Sequence, residues 1–142
     1  MLTRLGLSVV VAISTSVAPL AAADLKTPLQ KKVESDLQVI CVAAKLFKLD
    51  AGRLPTVSEG LAILLPNAGG RPTHLRIRPD GYFDGSPMDP WGKYGFPIDP
   101  WGRPYVYMAA GTGYRILTYG ADGVPGGMGE DEDKIGCDLD DT

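Results

Sequence analysis

The run TPLQKKVESDLQVICVAAKLFKLDAG, residues 27–52, spaces Leu29, Val33, Leu37, Ile40, Ala44 and Phe47 at intervals of four, four, three, four and three. That period places all six on one face of an α-helix, and a helix with one apolar face has to lay it on another element. Thr27 is positioned to accept a first-turn N–H. Pro28 sits at the first helical position, where its missing N–H costs nothing, and Gly52 can take the left-handed conformation after the last turn. The spacing predicts a helix from Thr27 to about Asp50, with Cys41 at the margin of its buried stripe.

Further along, Thr56-Val57-Ser58-Glu59 is a capping-box pattern followed by Leu61, Ile63, Leu64 and Leu65 and stopped by Pro66, which predicts a second, shorter helix. Residues 67–103 keep neither a helical nor a strand period and read as an irregular excursion with one short strand. Arg71, His74, Arg76 and Arg78 form a weakly basic patch there, read as a solvated loop. Asp89-Pro90-Trp91-Gly92 recurs as Asp99-Pro100-Trp101-Gly102. Each copy is a turn pinned by a large flat side chain. Tyr105-Val106-Tyr107-Met108 and Tyr114-Arg115-Ile116-Leu117-Thr118-Tyr119, separated by Gly111-Thr112-Gly113, predict an antiparallel hairpin. Two strands do not stand alone, so the long helix or a further strand must cover them. The fold class that follows is α+β.

The chain has 142 residues, 44% apolar and 22% charged, enough for one modest core. With 18 glycines and 12 prolines, the second half should be rich in turns. The net charge is -3, but residues 130–142 carry Glu130, Asp131, Glu132, Asp133, Asp138, Asp140 and Asp141 against Lys134 alone. That concentration argues for a bound cation rather than nucleic acid. At the other end, Arg4, the apolar stretch Leu5 to Ala18, and Pro19-Leu20-Ala21-Ala22-Ala23 have the layout of a signal peptide, residues 1–23, cleaved before a globular domain at 24–142. A periplasmic or secreted protein is the expectation, with an inner-membrane anchor as the alternative. In an oxidising compartment Cys41 and Cys137 could pair, closing a loop worth roughly 4–5 kcal/mol in the chain-entropy model. One buried cysteine and one free thiol is the other arrangement.

A single histidine, His74, gives little support to a catalytic triad or a clustered-histidine zinc site. No glycine-rich phosphate loop stands between a strand and a helix. The segment from Tyr119 through Asp122 and its glycines to Glu130-Asp131-Glu132-Asp133 has the ingredients of a hard-cation site: carboxylates, backbone carbonyls and a chain able to curl. A solvated acidic tail is the competing reading. An EF-hand is excluded, because aligning on Asp131, Asp133 and Gly136 puts Thr142 where the bidentate Glu belongs.

Four pieces, in order, carry a resemblance: Lys45-Leu46-Phe47-Lys48-Leu49-Asp50-Ala51-Gly52-Arg53-Leu54-Pro55-Thr56; Glu59-Gly60-Leu61; Asp99-Pro100-Trp101-Gly102-Arg103-Pro104-Tyr105-Val106-Tyr107; and Gly120-Ala121-Asp122-Gly123 with the acidic run. Together they resemble the major pseudopilins of type II secretion. The resemblance implies a pilin-like α+β fold: a long N-terminal helix packed on a small antiparallel sheet, with a calcium-binding loop near the C-terminus. It implies Asp122, Asp131 and Asp133 as carboxylate ligands and Tyr119 and Val124 as carbonyl ligands, with Glu130 or Glu132 able to substitute. It also implies a non-enzymatic structural role through contacts with other proteins, such as pseudopilins or secretion components, with a secreted hydrolase on a pilin-like scaffold as the alternative. At Gly6-Leu7-Ser8-Val9-Val10-Val11, Val stands where the family carries Glu, and the apolar stretch is shorter than the family's.

Overall fold

The computed structural model describes residues 26–66, 74, 76–83, 98–140 and 142. The segment expected to be a signal peptide, the first Asp-Pro-Trp-Gly copy and Arg71 lie outside them. Helix α1 spans Pro28–Ala51. It starts in a reciprocal capping box, Gln30 N–H donating to Thr27 Oγ1 at 3.2 Å and Thr27 N–H to Gln30 Oε1 at 2.9 Å. It ends where Gly52, at φ 75°, donates its N–H to the Lys48 carbonyl. The predicted apolar face is buried, with Asp36, Cys41 and Ala43 added to it, while Leu29 in the first turn stays exposed.

Three antiparallel strands form one sheet in the order β1-β2-β3: β1 Val106–Ala110, β2 Gly113–Thr118 and β3 Lys134–Asp140. The first two are the expected hairpin. The third supplies the further strand that the hairpin requires, from a stretch whose charge reads as tail. Ile116 of β2 and Phe47 of α1 are fully buried, and each contributes about 1.5–3 kcal/mol by leaving water. Leu54, Leu61, Ile63, Leu64, Tyr82 and Tyr105 complete the core around them.

The second helix differs from expectation. The capping box at Thr56 and Glu59 forms, but the element that follows is a short 3-10 helix, Gly60–Leu64. At Gly60 the backbone turns left-handed, φ 58°, which stops an α-helix from propagating out of the cap. Its three buried residues, Leu61, Ile63 and Leu64, still reach the core.

Strand β3 carries a bulge. Cys137 pairs with Ile116 and Ile135 with Leu117, leaving Gly136 as the extra residue. A Cβ on Gly136 would come within 2.8 Å of Leu37 Cβ and 3.2 Å of Cys41 Sγ, so the bare backbone allows β3 to close on α1. There Cys41 and Cys137 are bridged, their Cα atoms 6.2 Å apart, within the normal range for a disulfide.

Arg53 ties the end of α1 to the capping box, donating from both terminal nitrogens to the Glu59 carboxylate at 2.7 Å. That guanidinium, helped by the Thr56 N–H and hydroxyl and opposed by partial burial, holds the Glu59 carboxyl near 2, against an ordinary value of 4.5. Its folded-state pKa being depressed, the stabilisation is complete above pH 4.5 and is lost as pH falls through about 2. Thermal melts of the parent and Glu59→Gln should differ most above pH 4.5 and converge toward pH 2. A pH-independent gap would refute this. Among the described residues no helix is long and apolar enough to cross a membrane.

Candidate functional site

The loop between β2 and β3, residues 119–133, is positioned from below by the turn Asp99-Pro100-Trp101-Gly102. Asp99 is buried: its Oδ1 accepts from the N–H of Trp101 at 3.0 Å and of Arg103 at 2.9 Å, and its Oδ2 from the Thr118 hydroxyl at 2.7 Å. One carboxylate thus closes the turn and fastens it to the last residue of β2. The Arg103 guanidinium then donates to the carbonyls of Gly120 at 3.2 Å and Ala121 at 2.6 Å, setting where the loop begins. Beneath this, Tyr105 donates its hydroxyl to the buried Asp36 of α1 at 2.9 Å, and Lys32 donates to the same carboxylate at 2.7 Å. Burial, reinforced by the charge of Asp36, pushes the Tyr105 hydroxyl far above its usual pKa, so it stays a donor at all ordinary pH values.

The loop closes on itself through its backbone. Ala121 N–H donates to the Glu130 carbonyl at 2.8 Å, Asp131 N–H to Met128 and Asp133 N–H to Gly126, both at 3.2 Å. A Cβ on Gly120 would lie 2.6 Å from the Asp131 carbonyl carbon, which measures how closely the two limbs pass. Gln30 of the first turn of α1 donates to the Gly129 carbonyl at 2.9 Å and holds the far side.

Of the expected ligands, Asp122 stands at the start of the loop and accepts the Val124 N–H at 3.1 Å. Asp131 lies exposed in a short 3-10 turn, Gly129–Asp131, and Val124 is exposed while Tyr119 is partly buried. Asp133 points inward: its Oδ2 accepts the Gly126 N–H at 3.0 Å, and its Oδ1 is buried without a hydrogen-bond partner among the described residues. The three carboxylates share one loop but do not converge, and no group of three or more His, Cys, Asp or Glu among the described residues does. Chemically the donor set is all oxygen, which suits a hard cation, and the unpaired Asp133 oxygen is the group such a cation would satisfy.

Three of the four basic-patch residues, all but Arg71, are among those described. His74 and Arg76 are exposed, and Arg78 pairs with Asp50 at 2.7 Å and stacks over Tyr82, fastening its loop to α1. Composition and spacing do not point to Asp36 or Arg103. The one available signal for Asp36 is its position three residues beyond Val33 and beside Leu37, on the buried stripe.

Comparison with known proteins finds the family described as "Type II secretion system (T2SS), protein G" matching residues 22–95 and 93–136. The two matched segments meet between the two Asp-Pro-Trp-Gly copies. The chain is similar to the type II secretion system core protein G of Pseudomonas aeruginosa, 33% identical over 137 residues, covering 92% of this chain and 89% of that protein. With its counterpart from Klebsiella pneumoniae it is 33% identical over 141 residues, covering 94% and 90%. Among solved structures it is similar to the major pseudopilin from the type 2 secretion system of enterohaemorrhagic Escherichia coli. The TM-score is 0.51 at 30% identity, over 71% of this chain and 78% of that one.

Proposed function

Because the chain belongs to the type II secretion system protein G family, we propose that it is an exported structural subunit. It acts through contacts with pseudopilins or other secretion components, and its 119–133 loop is held in shape by a calcium ion. The supporting observation is the buried, unpaired Asp133 Oδ1 in a loop otherwise closed by backbone hydrogen bonds. A carboxylate oxygen kept from water without a partner costs free energy that a cation would relieve. Asp133 would anchor the ion, with the carboxylates of Asp122 and Asp131 and the carbonyls of Tyr119 and Val124 completing an oxygen shell. Such an ion would fix the approach to β3 and hold the surface beside it constant for a partner.

An ion that binds only the folded form stabilises it by mass action, about 2.7 kcal/mol at a free concentration one hundred times the Kd. Chelation should therefore lower the melting temperature and added calcium restore it. Magnesium should restore it less, since it prefers a smaller, stricter octahedral shell. Asp122→Ala should reproduce most of the chelator effect and abolish the response to calcium. Superimposable melts with and without chelator would remove the ion from this reading.

A further inference from the structure

Strand β3 is held to the domain unevenly. One of its seven residues, Leu139, is buried, whereas α1 buries eight. Its other ties are the ladder to β2, the exposed Arg115–Asp138 pair, Lys48 donating to the carbonyls of Asp140 and Thr142, and the covalent bridge to Cys41. Exposed ion pairs and edge hydrogen bonds contribute little individually, and the bridge is the covalent tether between this strand and α1. That bridge lies on an open cleft of about 410 Å³ between α1 and β3, lined by Leu37, Cys41, Val42, Lys45, Ile135 and Cys137. Cys41 is 5% exposed and Cys137 more so, which leaves Cys137 the more accessible residue of the pair.

We propose that Cys41–Cys137 is a redox latch on β3, addressed through this cleft by a dithiol reductant, whose opening frees β3 while α1 and the rest of the core stay folded. A thiolate of the reductant attacks Cys137 Sγ, the S–S bond breaks, and Cys41 leaves as a thiolate that takes a proton. The second reductant thiolate then attacks the mixed disulfide at the reductant's own sulfur, and Cys137 leaves in turn and is protonated. The dithiol is oxidised to its disulfide, and the protein gains two electrons and two protons. Opening removes the tether that keeps the strand beside α1 and uncovers the β2 edge from Gly113 to Thr118, a row of backbone donors and acceptors open to another strand.

The experiment is hydrogen exchange, read by peptide mass, on oxidised protein and on protein treated with a small dithiol under native conditions. A chelator is present throughout, so that the outcome is independent of any bound ion, and thiol state is verified by alkylation. Exchange across 134–140 and 113–118 should accelerate about tenfold or more on reduction, while α1 peptides around Ile40 and Phe47 change by less than about twofold. Re-oxidation should restore protection, and a Cys41→Ser, Cys137→Ser double variant should match the reduced protein. Unchanged protection of β3 after verified reduction would overturn the proposal. So would loss of α1 protection together with β3, in reduced protein or double variant, or a bridge that resists the dithiol until the protein is denatured.

Discussion

Phe47→Ala should lower the unfolding free energy by about 3–5 kcal/mol, seen as a shift of the urea midpoint with little change in slope. Phe47 is fully buried, packs edge-to-face on Tyr82 with ring centroids 5.5 Å apart, and has the Arg53 guanidinium 5.9 Å from its ring centre. The substitution leaves a cavity where α1 meets Tyr82 and strips the cation–π contact from Arg53, the residue that grips Glu59. Against a total of about 5–15 kcal/mol for an ordinary domain, that is a large fraction. Phe47→Leu, which keeps most of the volume, should cost less than half as much. Equal losses for Ala and Leu would mean that the ring contacts, not the filled space, carry the effect.

Asp99→Ala should cost about 2–4 kcal/mol, because it orphans three donors at once, one of them buried, and an unsatisfied buried donor costs about 1–3 kcal/mol. Two are the N–H groups of Trp101 and Arg103 and the third is the Thr118 hydroxyl, itself buried. The damage should also travel. With the turn loosened, Arg103 no longer arrives in place to hold the carbonyls of Gly120 and Ala121, and the start of the acidic loop is released. Asp99→Asn retains an acceptor for the two N–H groups and presents an amide that the Thr118 oxygen can accept, so it should recover most of the loss. Exchange rates of the 119–126 amides distinguish the routes: they should rise in the Ala variant and stay near parental in the Asn variant. A parental loop in Asp99→Ala would disconnect the turn from the loop.

The second prediction bears on why Asp-Pro-Trp-Gly occurs where it does. From residue types alone the motif reads as a self-contained turn pinned by its tryptophan. Structurally the carboxylate is the connector, reaching across to β2, and Trp101 packs only at the core margin. Long-range partners of a polar side chain leave no local trace, which is why Asp36 is likewise inconspicuous among the charged residues of α1.

Elements set by local chemistry were the legible ones. Helix α1 shows a sustained period and both caps, and the hairpin has β-branched and aromatic residues around a glycine turn. Strand β3 hides because its side chains are mostly exposed and because Gly136 interrupts the alternation by which strands are read. The 3-10 helix has the right start and apolar residues, but a glycine at its first position redirects the backbone. The cysteine pairing needs a distance between residues 96 apart in sequence, which no spacing rule provides. For the acidic loop, residue types indicate an oxygen-rich site. Only the fold distinguishes the inward Asp133 from its exposed neighbours Glu130, Asp131 and Glu132.

The extra residue at Gly136 acts on β3 as a change of parity. Ile135 and Cys137, two apart, would share a side of a regular strand; here they stand opposite the adjacent Leu117 and Ile116, and Cys137 is bridged to α1 while Ile135 is exposed. The bulge absorbs one residue, whereas a regular ladder running through Gly136 would turn one of the two to the other face. The bulge thus decides from which face of β3 the crosslink leaves.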